Sequence, residues 1–231
     1  VAQAQTQVIL ALDFDRPEDA RRLVEETSGL VSIYKVGSIL FTGSGREVVD
    51  AVKAEGGRVF LDLKFHDIPN TVRGAVRAAA TLGVSMLTVH ASGGVDMMRA
   101  ALEGAGEGAK LSGNRRPAVV GVTLLTSHAG GGDTAGRVIE LAGSAAEAGI
   151  DGVVCSVQEV RKVKATFGGS LLAVVPGIRL SDQAKDDQAR VGTPAQAVRD
   201  GADYIVVGRS VIKAPDPRGA LARISEEVAG A

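Results

Sequence analysis

The sequence predicts an α/β fold, a single closed (βα)8 barrel spanning residues 1–231. Eight short runs rich in Val, Ile and Leu recur along the chain, and each is followed by a stretch with helical periodicity. No linker, low-complexity segment or domain boundary interrupts them. Eight βα units in 231 residues fit a closed parallel barrel near the short end of its size range. A doubly wound open sheet is the alternative, but eight strands with neither an evident edge nor a cofactor loop favour closure.

In chain order the runs are VILALD (8–13), VSIYKV (31–36), RVFLDLK (58–64), SMLTVH (85–90), PAVVGVTLL (117–125), DGVVCS (151–156), LLAVVP (171–176) and DYIVVG (203–208). After the first run, PEDARRLVEETS places Pro17 in a first helical turn, with acidic residues near the positive end of the helix dipole. Before the last run, TPAQAVRDG repeats that logic: Thr193 as N-cap, Pro194 in the first turn and Gly201 at the stop. After the third run, Pro69 blocks strand continuation, and a helix is expected to begin near Asn70 or Thr71.

Composition narrows the function classes. Hydrophobic residues make up 45% of the chain and aromatics only 3%, so the core must be aliphatic. With 26 basic and 27 acidic side chains the formal net charge is -1, without the basic footprint of a nucleic-acid or membrane-surface partner. No apolar run approaches the roughly 20 residues that span a bilayer, and VAQAQTQ lacks the features of a secretory signal, which points to the cytoplasm. The single cysteine, Cys155, has no internal disulfide partner and reads as a buried structural thiol within DGVVCS.

In such a barrel the active site lies at the C-terminal ends of the strands. Polar residues close the apolar runs: Asp13, Lys35, Asp62 with Lys64, His90, Thr126 with Ser127, Arg179 and Arg209. The densest group is in FLDLKFHDIPNT (60–71). Strand alternation puts Asp62 and Lys64 on one face, and Leu61, Leu63 and Phe65 on the other. The apolar face must meet helices, so Asp62 and Lys64 point into the barrel mouth, where Lys35 of the neighbouring strand joins them. An ordinary buried ion pair would satisfy the same pattern. Asp67 has the opposite parity and lies beyond the strand, so alternation does not place it in that pocket.

DLKFHDIPNT, with its Asp-x-Lys-x-x-Asp core, resembles the signature of the orotidine 5'-phosphate decarboxylase family. Shorter elements fall in the matching order: ALD (11–13), KVG (35–37), VHASGG (89–94), LTS (125–127), PGIR (176–179) and GR (208–209). The resemblance implies a TIM barrel acting as a homodimer with two active sites at the interface. It further implies decarboxylation of orotidine monophosphate to uridine monophosphate, the last step of de novo pyrimidine biosynthesis, without metal or organic cofactor. Lys35, Asp62, Lys64 and Asp67 would form an alternating charged array, with Asp67 supplied by the neighbouring subunit. Asp13 and Lys35 would approach the ribose hydroxyls, Thr126 the pyrimidine edge, and Ile68 and Thr71 the neighbour's pocket. Arg179, Gln188, Gly208 and Arg209 would hold the phosphate. His66 and His90 read as supporting groups, Ser127 and His128 as a turn serine and a solvent histidine, and HAGGGDTAG as a loop.

Two rivals remain at this level. Metal-dependent sugar-phosphate decarboxylases and hexulose-phosphate synthases share the barrel and the Asp-x-Lys-x-x-Asp pattern, but a cation at Lys35 would repel a divalent ion. A non-catalytic nucleotide-binding barrel predicts a broken array, whereas all four positions are intact.

Overall fold

The computed structural model describes residues 6–125, 133–180 and 191–231. All eight apolar runs supply a strand: β1 Gln7–Ala11, β2 Ile33–Gly37, β3 Arg58–Phe65, β4 Met86–His90, β5 Ala118–Val122, β6 Gly152–Val154, β7 Leu172–Val175 and β8 Tyr204–Val207. They pair in sequence order, every pair parallel, and β8 closes on β1 from Gln7–Tyr204 to Leu10–Val207. Closure rules out the open-sheet alternative. The fold is an α/β TIM barrel, with helices in every β-to-β connection.

The strands are mostly shorter than the apolar runs, because such runs record burial and not pairing. Leu12 is completely buried although β1 has ended at Ala11, and β5 stops at Val122, leaving Leu124 and Leu125 in the connection. Asp13 therefore stands just past a strand end, free to lean over the barrel mouth.

Helix starts follow local chemistry. Pro17 opens helix Pro17–Thr27, and the Thr193 hydroxyl accepts from Gln196 N to cap helix Pro194–Arg199, with Gly201 following at φ 94°. Between β2 and β3 the chain forms two helices, Ser38–Ser44 and Arg46–Ala54, broken at Gly45. The helix after β3 starts at Pro69, one or two residues earlier than expected. A first-turn proline gives up an N–H that has no helical acceptor, and Ile68 takes the extended geometry that a residue before proline requires, φ -57° and ψ 150°. Asn70 and Thr71 thus lie inside the first turn and do not cap it.

Alternation divides the apolar residues into two cores. Ile9, Ala11, Ile33, Phe60, Met86, Val120, Val174 and Val206 fill the barrel interior. Their neighbours in sequence, among them Leu10, Tyr34, Leu61, Leu87 and Val119, pack outward against the helices, together with buried Cys155. Interior side chains plug the barrel below, and among the described residues a cavity with polar groups lies at its C-terminal mouth.

Candidate active site

The inward parity that buries Phe60 carries Asp62 and Lys64 upward into the mouth, and the parity of Ile33 does the same for Lys35. There they form a row of alternating charge with Asp13. Lys35 Nζ lies 2.9 Å from Asp13 Oδ1 and 3.6 Å from Asp62 Oδ2, and Lys64 Nζ lies 2.8 Å from Asp62 Oδ1. The middle of the row is the driest, with Lys35 and Asp62 side chains each 13% exposed against 35% for Lys64 and 51% for Asp13. Gly37 leaves space for the Lys35 ammonium: a Cβ there would stand 3.3 Å from Nζ.

β3 is irregular where it carries this chemistry. Leu61 pairs with Leu87 and Phe65 with Val89, so four steps along β3 match two along β4. Within that bulge Lys64 has φ 53°, alone among the described non-glycine residues in being left-handed. A side chain held there costs on the order of 1–3 kcal/mol, and such strain collects at functional sites. Thr88, wholly buried on β4, spans the irregularity: its hydroxyl accepts from Lys64 N at 2.9 Å and donates to Asp62 Oδ1 at 3.0 Å.

Burial by itself would push the Asp62 carboxyl up; Lys35, Lys64 and the Thr88 hydroxyl outweigh it and hold Asp62 below the usual carboxylate range. Asp62 is therefore a fixed anion at neutral pH. Burial, then the neighbouring His66 and Lys64, keep His90 below the usual imidazole value, against the opposing pull of Asp62. The His66 and His90 rings pack together with centroids 5.2 Å apart.

The same cavity has two further walls. Val122, Leu124, Leu125, Val154 and Val174 give an apolar side facing the charged row. Beyond them lie Arg179, Gly208 and Arg209. Arg179 N donates to Gly192 O and Gly192 N to Gly177 O, which ties the PGIR segment to the chain before Thr193. Gly208 sits close over the end of β1, where a Cβ would meet Ala11 Cβ at 3.3 Å and Asp13 Oδ2 at 3.4 Å. The cavity thus offers an apolar slot, a charged edge and a cationic end, a layout that suits a flat polar ring carrying a remote anion.

Comparison with known proteins shows the family of the chain. Residues 6–224 match the Orotidine 5'-phosphate decarboxylase / HUMPS family. The chain belongs to that family. A relative from Saccharophagus degradans named orotidine 5'-phosphate decarboxylase is 46% identical over 97% of this chain and 96% of its own length. Another of the same name from Bacillus caldolyticus is 44% identical over 96% of this chain and 94% of its own. The crystal structure of orotidine 5'-phosphate decarboxylase from Lactobacillus acidophilus superposes with a TM-score of 0.84 at 36% identity, covering 96% of this chain and 99% of that one.

Of the positions to which the family resemblance pointed, Asp13, Lys35, Asp62, Lys64, Arg179, Gly208 and Arg209 all line one cavity. Asp67, Ile68 and Thr71 stand outside it, exposed on the rim. The Asp67 carboxylate accepts from Ile68 N at 2.6 Å and makes no ion pair among the described residues. Thr126 and Gln188, with Ser127 and His128, lie outside the described residues. Thr88 was not singled out from the sequence, although a signal existed: it shares the inward parity of Met86 and His90 in SMLTVH.

The environment of Asp62 makes stability pH-dependent in a defined direction. Its folded pKa lies below the unfolded value, so its contribution is fully present above about pH 4, the unfolded carboxyl range, and is lost as pH falls through the folded value. In urea titrations the stability gap between the native chain and Asp62→Asn should therefore be wide at pH 7 and narrow progressively in acid. A gap independent of pH would show that Asp62 is not held as an anion by the fold.

Proposed function

We propose that the chain decarboxylates orotidine 5'-monophosphate to uridine 5'-monophosphate and carbon dioxide, the last step of de novo UMP biosynthesis. The observation that carries this reading is the alternating row Asp13–Lys35–Asp62–Lys64 on one edge of an apolar slot. The named relatives support it across nearly the whole chain.

Breaking the bond between C6 and the carboxylate leaves the electron pair at C6, in an orbital that the pyrimidine ring delocalises poorly. Stabilisation has to come from outside the ring. The Lys64 ammonium provides a positive charge at that carbon and then the proton that takes the place of the carboxylate. Lys64 becomes a neutral amine and recovers its proton from water, to which its side chain is 35% exposed. Asp62 stands beside the departing carboxylate and anchors Lys64 at 2.8 Å. Lys35 balances the buried Asp62 charge and, with Asp13, faces the ribose hydroxyls. Thr126 meets the pyrimidine edge. Arg179, Gly208, Arg209 and Gln188 bind the phosphate, a remote group whose binding energy aligns the reacting carbon.

In this reading the working unit is a homodimer, and each subunit extends Asp67, Ile68 and Thr71 into its neighbour's site. Asp67 has no cation of its own among the described residues, and the apolar side chains of Ile39 and Ile68 are 63% and 66% exposed on the same end of the barrel. No metal takes part. Lys35 Nζ already sits 3.6 Å from Asp62 Oδ2, so a divalent ion at that carboxylate would face an ammonium in place of an oxygen ligand.

The deciding experiment is ultraviolet-monitored turnover of orotidine 5'-monophosphate by the purified protein, with and without a chelator. Turnover that survives chelation is expected. No turnover, or turnover abolished by chelation, would falsify the proposal.

A further inference from the structure

Thr88 does two things that the Lys64–Asp62 pair cannot do for itself. At the bulge, Lys64 N faces a β4 backbone that is two residues out of step, and the hydrogen bond it makes goes to the Thr88 side chain. A backbone amide can only donate, so the Thr88 oxygen is the acceptor at that contact. The hydroxyl proton is then available to Asp62 Oδ1, 3.0 Å away, the same oxygen that receives Lys64 Nζ at 2.8 Å. Thr88 is completely buried and β-branched, so the hydroxyl has few rotamers available and is held between its two partners.

We infer that Thr88 is a positioning residue of the active site: its hydroxyl takes the place of the missing β4 acceptor, holds Lys64 in its left-handed backbone conformation, and fixes the Asp62 carboxylate that aims the Lys64 ammonium. One oxygen thereby couples the main chain of the proton donor to the carboxylate that orients its side chain. This rests on the decarboxylase reading above. It predicts that Thr88 acts on the chemical step and leaves ground-state nucleotide binding nearly untouched, since Thr88 is sealed beneath the charged row.

Thr88→Val keeps the shape and removes the hydroxyl; Thr88→Ser keeps the hydroxyl. Two quantities are read for each: steady-state kcat and KM for orotidine 5'-monophosphate, and hydrogen exchange of the Lys64 amide with Leu61 as reference in the same strand. In Thr88→Val, kcat should fall roughly ten- to hundredfold, the range for a lost hydrogen bond to a charged group, with KM within about threefold. Exchange of the Lys64 amide should rise at least about tenfold relative to Leu61. Thr88→Ser should restore most of both. Unchanged exchange, a kcat within twofold of the native chain, a rise in KM alone, or a serine variant as impaired as the valine one would each overturn the inference. If Thr88→Val fails to fold, Thr88→Ala is read against Thr88→Ser by the same two criteria. A native chain with no turnover would remove the functional reading, while the exchange measurement would still decide whether Thr88 holds Lys64.

Discussion

Replacing Lys64 with alanine should lower kcat by roughly 10⁴-fold or more, the largest effect expected of any single substitution in this protein. Loss of a positioned proton donor typically costs about 10²–10⁴, and loss of a preorganised charge at the developing anion about 10²–10³. The two are carried by one ammonium, so they do not simply multiply. The fold should survive, because Asp62 keeps Lys35 at 3.6 Å and the Thr88 hydroxyl at 3.0 Å, and alanine meets the same backbone strain at φ 53° that lysine does. Single-turnover assays with enzyme in excess, alongside titration of uridine 5'-monophosphate binding, separate lost chemistry from lost affinity. Lys64→Arg refines the result: it returns a charge, but a guanidinium cannot give up its proton, so turnover should stay low. A Lys64→Ala chain within about tenfold of native activity would remove Lys64 from the chemistry.

The second large effect tests sharing between subunits. Homodimers of Lys64→Ala and of Asp67→Ala should each be nearly inactive, yet a mixture of the two should regain activity. In a hybrid dimer one site has lost both groups, while the other pairs an intact Lys64 with the partner's intact Asp67. Random reassortment of equal amounts makes half the dimers hybrids with one working site of two, so roughly one-quarter of native activity is expected. The structural motive is the position of Asp67, exposed on the rim and bonded only to the adjacent Ile68 amide among the described residues. Hybrids isolated by differential tagging make the measurement clean. Hybrids as inactive as their parents would place Asp67 in its own subunit's chemistry, and an Asp67→Ala homodimer near native activity would place it in none.

Much of the site was legible because its residues sit on regular strands. Lys35, Asp62 and Lys64 share a face with Ile33 and Phe60, and a period of two is enough to send all of them to the barrel interior. Barrel closure then brings Arg179, Gly208 and Arg209, far away in sequence, to the same cavity. The parity of Asp67 was equally readable, and the structure does leave it outside its own pocket. Less legible were the element ends. Apolar runs extend past the strand ends to Leu12 and Leu124 because those residues are buried or half-buried, and composition cannot distinguish a buried coil residue from a paired one. Proline chemistry likewise indicated that a helix starts near 70, but not that Pro69 itself would be its first residue.

By itself, then, the sequence determined the barrel, the inward direction of the charged row and the family to which the chain belongs. These depend on periodicity and on local motifs, which each segment carries alone. Only the tertiary structure decided how the row is held. A bulge is a mismatch between two strands: four steps on β3 against two on β4 exist in neither strand separately. From that mismatch come the left-handed backbone of Lys64 and the amide that Thr88 receives, so the residue that braces the site became visible only once β4 was laid beside β3.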